Sequence, residues 1–160
     1  MINQHPESTA PEDRITSFRL SHELEHELLS YPHCIPGGSS IQPIESVARI
    51  AIDCSINQIA FYALPSTGLA RGLTRHFKEA LETCMAGVLS SLPATCQDLL
   101  AWALFTGIQV CLNQVEYRWF INRLADMLSM RGWTSWEEVQ AVMQRYIFLS
   151  YIHEACWRTA

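Results

Sequence analysis

Apolar positions in this chain recur at three- and four-residue spacing, and no two-residue alternation is sustained between hairpin turns. That pattern predicts helices and requires no strands. Residues 1–11 carry Pro6, Ser8, Thr9 and Pro11 and read as a flexible N-terminal arm. A first helix is expected over about 12–30, closed by Tyr31-Pro32, with a loop at Pro36-Gly37-Gly38-Ser39-Ser40. Pro43 suits the first turn of a second helix over about 42–62. Its Ile44, Val47, Ile50, Ala51, Cys54, Ile59 and Phe61 surround much of the axis, which predicts a central position. A third helix is expected from Pro65-Ser66, burying Leu69, Leu73, Phe77, Leu81, Cys84 and Val88 as one stripe before Ser90-Ser91-Leu92-Pro93.

Beyond that stop, Thr95 with Asp98 reads as an N-terminal cap pair, and Leu99 to Leu112 is apolar almost all round, as a core helix is. Asn113 with Glu116 repeats the capping pattern ahead of a helix that turns Phe120, Leu124, Met127 and Leu128 to one side. Gly132 suits a left-handed helix end. Thr134 with Glu137 is expected to cap a sixth helix burying Trp136, Val139, Met143 and Tyr146 or Ile147. A short seventh helix is expected over Tyr151 to Trp157. The fold class is therefore all-α, six to seven helices packed as antiparallel neighbours over residues 12–160.

Composition sharpens this picture. Hydrophobic residues make up 49% of the 160 and charged residues 17%, which argues against disorder and for an apolar surface that meets a partner. The net charge is -5 and Lys78 is the sole lysine, so no basic stripe is present and direct nucleic-acid binding is not expected. No stretch reaches the roughly 18–20 apolar residues of a membrane span, and Met1 to Arg14 has no apolar run of the signal-peptide kind. The six cysteines, Cys34, Cys54, Cys84, Cys96, Cys111 and Cys156, show no Cys-x-x-Cys pair and read as free thiols, several of them small hydrophobes within helices.

One motif has the form of a catalytic site. His22-Glu23-Leu24-Glu25-His26 matches H-E-x-x-H on a helix, in which two histidines one turn apart bind zinc and the glutamate activates water. Glu45 is the candidate third ligand. Against a zinc hydrolase, Glu25 and Glu27 place further charge on a helix that such sites bury, and no sheet is expected to align a substrate. A solvated His- and Glu-rich helix face is the expectation, with no metal, no cofactor and no enzymatic activity. His33 beside Cys34 is a weaker pairing on the Pro-flanked loop, and no P-loop, G-x-G-x-x-G or G-x-S-x-G is present.

Three segments in the last third carry a family resemblance. Leu99-Leu100-Ala101-Trp102-Ala103-Leu104-Phe105-Thr106-Gly107 resembles the "LLLWALFIGG" helix of the fungal-specific transcription factor domain. Tyr117-Arg118-Trp119-Phe120-Ile121-Asn122-Arg123-Leu124 is similar to its "R-x-W-F-x-x-R-L" segment. Ser135-Trp136-Glu137-Glu138-Val139, followed by Tyr146-Ile147-Phe148, resembles its "S-W-E-E-V" helix and the apolar stretch after it. The match covers about residues 42–158 and is closest after Leu99. It marks Trp102, Gly107, Trp119, Phe120, Trp136 and Glu137 as motif residues of the fold.

The resemblance implies the C-terminal part of a zinc-cluster transcription factor's regulatory region, one piece of a larger helical array. In that family a separate zinc binuclear cluster reads DNA, and none of its tight Cys-x-x-Cys spacing occurs here. A C-terminal portion, a truncated product or a paralogue without its DNA-binding half would each fit. The implied role is non-enzymatic transcription regulation in the nucleus, or in the cytoplasm if the chain is free-standing. It would hold a protein partner, a second copy or a small effector between helices. A helical small-molecule-binding protein of a biosynthetic pathway is the alternative from another class.

Overall fold

The computed structural model describes residues 11–34, 42–60, 68–87 and 91–147. Among them it holds six helices and no strand: α1 Pro11–Cys34, α2 Pro43–Ala60, α3 Gly68–Met85, α4 Ala94–Val110, α5 Tyr117–Arg131 and α6 Trp136–Met143. Residues 1–10 of the expected N-terminal arm, Phe61, Val88 and the seventh helix at Tyr151 to Trp157 lie outside the described residues, while Pro11, expected in the arm, opens α1.

The core is organised around α4. Every residue from Leu100 to Ile108 is buried, because α2, α3, α5 and α6 all pack against this helix. Val47, Ala51 and Cys54 come in from α2, Phe77 and Leu81 from α3, Phe120 and Leu124 from α5, Val139 and Met143 from α6. Each large apolar side chain so buried contributes about 1.5–3 kcal/mol relative to exposure. A helix apolar almost all round is suited to this surrounded position. As expected, α2 is central too: it packs against α1, α3 and α4, and none of its residues 44–58 is exposed.

Contacts fix the directions of the helices. Gly107 meets Phe120 and Asp98 meets Arg131, so α5 runs antiparallel to α4. Phe105 meets Trp136 edge-on at 6.3 Å and Trp102 stacks on Tyr146 at 5.3 Å, so α6 runs antiparallel to α4 as well. The Trp102 indole Nε1 donates to the Ile147 carbonyl at 2.9 Å, which ties the segment after α6 to the core helix. The motif residues Trp102, Gly107, Trp119, Phe120 and Trp136 all pack in or against this one core, while Glu137 is exposed in the first turn of α6.

Three caps differ from the sequence expectation. Pro93 occupies the N-cap of α4, so Thr95 lies inside the helix and Asp98 turns inward to two arginines. Asn113 adopts the left-handed conformation (φ 64°) in the turn, and Glu116 is the N-cap of α5 without a side-chain cap bond. At α6 the capping box sits one residue later than Thr134/Glu137: Ser135 accepts from the Glu138 N–H, and the Glu138 carboxylate accepts from the Ser135 N–H at 3.1 Å and the Thr134 N–H at 2.8 Å. These two backbone donors hold the Glu138 carboxyl below the usual glutamate range. The left-handed end at Gly132 is present as expected, with φ 67° and the Trp133 N–H reaching back to the Leu128 carbonyl at 3.0 Å.

The first helix runs past its expected end. Rather than stopping at Tyr31-Pro32, α1 continues through Pro32 to Cys34. Proline has no N–H to give the carbonyl four residues back, which leaves the Leu28 oxygen without its helical donor. Arg49 of α2 fills that vacancy: its Nε donates to the Leu28 carbonyl at 3.1 Å and its Nη2 to the same oxygen. The helix break is thus converted into a clasp between α1 and α2. Arg49→Met is expected to destabilise the α1–α2 pair by about 1 kcal/mol, the penalty of leaving a partly buried carbonyl unsatisfied. Adding Pro32→Ala restores an N–H for Leu28, so the double variant should recover most of the loss in urea denaturation. Strict additivity of the two changes would show that the missing proline N–H is not what Arg49 replaces.

Candidate functional site at the α1–α2 seam

The H-E-x-x-H residues lie on the outer side of α1. His22, Glu23 and His26 are all exposed, and His22 Nδ1 lies 3.4 Å from Glu25 Oε2. Antiparallel pairing places Glu25 opposite Asp53 and Asn57, and Leu28 opposite Arg49. Glu45 stands roughly two turns before Asp53, about 12 Å along α2, on the flank of the seam that Leu24 and Leu28 line. His22, His26 and Glu45 are therefore not brought together, and no metal-holding group of three or more His, Cys, Asp or Glu forms among the described residues. The side chains of His22, Glu23 and His26 point to solvent, whereas Glu25 of the same motif turns to Asn57 of α2.

On the His22 flank the structure assembles a cluster that sequence reasoning missed. Asn57 Nδ2 donates to Asp53 Oδ1 at 3.2 Å, to the Asp53 carbonyl at 3.0 Å and to Glu25 Oε1 at 3.4 Å. Burial pushes the Asp53 carboxyl up to about 6, helped by the adjacent Glu25 charge and by a hydrogen bond between the two carboxyls. Such a bond needs one of the pair protonated, so this flank takes up a proton in the mildly acidic range. The i, i+4 spacing of Asp53 and Asn57 was visible in the sequence, but their partner on α1 was not.

The sign of the pH dependence follows. A carboxyl whose folded pKa is raised binds its proton more tightly in the folded state. Stability therefore falls as pH rises from the ordinary carboxylate range to about 6, and is level above that. Asp53→Asn should match the parent near pH 4 and exceed it at pH 7 by roughly 1 kcal/mol, a figure kept small because the carboxyl is partly solvated. Denaturation midpoints measured from pH 4 to 8 test this; an unchanged slope in the variant would rule out Asp53 as the titrating group.

The opposite flank of the seam is apolar at its floor. Leu24 and Leu28 of α1, with Arg49 of α2, line a recess of about 360 Å³ that opens widely to solvent, and Glu27 and Glu45 stand at it from the two helices. Leu20 and Leu24 are 54% and 45% exposed, so an apolar strip leads along α1 into the recess. Among the described residues no ion pair engages Glu27 or Glu45.

Elsewhere the titratable groups serve packing. Cys54, Cys84, Cys96 and Cys111 form no disulfide. Cys54 and Cys111 are buried, and burial pushes the Cys54 thiol well up and the Cys84 thiol up, so neither is an activated nucleophile. The side chains of His33 and Cys34 lie outside the described residues. No helix among the described residues is long and apolar enough to cross a membrane. Comparison of the chain with protein-family models, with curated proteins and with solved structures returned no match.

Proposed function

We propose that this chain is a non-enzymatic regulatory and interaction module, resembling the C-terminal part of a fungal zinc-cluster transcription factor's regulatory region and acting in the nucleus. The observation that carries this proposal is the apolar strip of α1, where Leu20 and Leu24 stay largely in solvent and run into the α1–α2 recess. A helix with that strip uncovered gains free energy when a partner removes it from water, at ~25 cal/mol per Å². Further support comes from the segments that carry the resemblance. They fall on α4, α5 and α6 and meet directly, Gly107 under the Phe120 ring and Phe105 against Trp136. The net charge of -5 supports a reading in which DNA contact lies in another part of such a regulator.

The proposal is tested by fusing the full chain to an unrelated DNA-binding domain in a reporter assay. The fusion is expected to change reporter output, and Leu20→Asp/Leu24→Asp, which leaves the core intact, is expected to remove most of that change. A fusion with no effect on the reporter, at normal protein level and nuclear location, would overturn it.

A further inference from the structure

The recess between α1 and α2 combines an apolar floor with acidic edges, and that combination names the chemistry of what lies in it. We propose that it docks an amphipathic segment of a partner protein, one that presents an apolar side chain flanked by lysine or arginine residues. This assignment rests on the interaction-module proposal and specifies its partner.

Shape is the first ground. At about 360 Å³ the recess is near the lower end of volumes that accept a ligand (~300–1,000 Å³), yet it is widely open. An open trough suits a segment lying across it, with one side chain inserted, better than a small molecule that must be enclosed. Leu20 and Leu24 extend the trough along α1, as a groove for a helix is extended by anchors one turn apart.

Charge is the second. Glu27 stands on the α1 side and Glu45 on the α2 side, so a chain crossing the recess meets a carboxylate on each edge. The one cation in the lining among the described residues, Arg49, directs its Nε and Nη2 inward to the Leu28 carbonyl. It therefore fixes the wall of the recess and gives an acidic partner little purchase. The whole chain carries -5, which steers basic segments toward it and repels acidic ones. The same charge disfavours a second copy as the occupant.

The test uses the full chain and two synthetic helical peptides that share leucines one turn apart, one flanked by lysines and the other by glutamates. Binding is followed by calorimetry and by backbone amide shifts. The lysine peptide is expected to bind, to shift amides around Leu24, Leu28 and Glu45, and to weaken as salt is raised. Glu27→Lys/Glu45→Lys is expected to lower its affinity about tenfold, the effect of ~1.4 kcal/mol, and to favour the glutamate peptide instead. Helical content and melting temperature of the double variant, unchanged, would show that folding is not the cause.

Equal binding of both peptides, no binding of either, or an affinity indifferent to the charge reversal would each overturn the assignment. So would concentration-dependent dimerisation that buries Leu20 and Leu24, since a second copy would then be the occupant. Any of these with a reporter response intact rejects the partner chemistry alone. A parent fusion that leaves the reporter unchanged rejects the module proposal beneath it.

Discussion

Replacing Gly107 by alanine is expected to destabilise the domain by about 2–3 kcal/mol, although alanine ordinarily stabilises a helix interior by about 1 kcal/mol over glycine. The contradiction between these two effects is decided by distance. A Cβ at position 107 would lie 2.1 Å from Cε1, 2.3 Å from Cδ1 and 2.9 Å from Cζ of Phe120. The ring has nowhere to retreat: it is fully buried, 5.8 Å from the Phe77 ring on α3 and 5.0 Å from Trp119 beside it. Either α5 lifts from α4 or the ring leaves its rotamer, and both disturb the packed layer that α3 shares. A second variant isolates the cause. Phe120→Leu is expected to lower stability in the parent, but to cost much less in the Gly107→Ala background, because the smaller side chain makes room for the methyl group. Urea denaturation of the four proteins measures that coupling. Full additivity, or a Gly107→Ala protein as stable as its parent, would show that the ring is not held where the structure places it.

Asp98→Ala should cost about 3 kcal/mol, with the effect concentrated at the ends of α5 and α6. Asp98 is 4% exposed on α4 and accepts from Arg131 Nη2 at 2.7 Å and from Arg145 Nη1 at 3.4 Å. Arg131 is also held by Gln97 Oε1 at 3.3 Å and stacks over the Trp133 ring at 4.9 Å. Removing the carboxylate leaves this half-buried guanidinium, whose Nε already lacks a partner, without its counter-charge. Breaking a buried pair from one side costs about 3–5 kcal/mol; the lower end applies because Arg131 retains some access to water. Arg145→Ala, by contrast, removes a largely exposed partner and should cost under about 1 kcal/mol. Near-ultraviolet circular dichroism of the Trp102–Tyr146 stack reports the loosening of α6, since Tyr146 follows Arg145 directly. Equal losses in the two variants would mean that Asp98 acts on the fold only through its exposed arginine.

Both residues show where sequence reasoning reaches and where it stops. Gly107 was legible as a point of close helix approach, since a glycine in an apolar helix has few other uses, but its partner Phe120 was marked independently and not as its contact. Asp98 read as a cap residue because Thr95 stands three positions before it, a local pattern that any surface helix start would share. Its actual partners lie 33 and 47 residues away, and no local spacing encodes them. At α6 two overlapping patterns, Thr134 with Glu137 and Ser135 with Glu138, fit the same rule equally. The left-handed Gly132 and the packing of Trp136 on Phe105 set the register in favour of the second.

The candidate site divides in the same manner. The exposure of the helix face that carries His22, Glu23 and His26 was legible in the further charge that Glu25 and Glu27 place beside them. That Glu45 lies apart from the histidines followed only from how α1 crosses α2. The Asp53–Glu25–Asn57 cluster and the clasp of Arg49 on Leu28 likewise needed two helices in register.

What the sequence determined by itself was the all-helical class, the helices' approximate extents and the identity of α4 as an all-round apolar element, because periodicity and helix-breaking residues act within a few positions. The tertiary structure alone decided that Asp98 binds two distant arginines and that a proline-freed carbonyl joins α1 to α2. Those depend on which faces meet across tens of residues, where desolvation and close packing, not local spacing, select the partner.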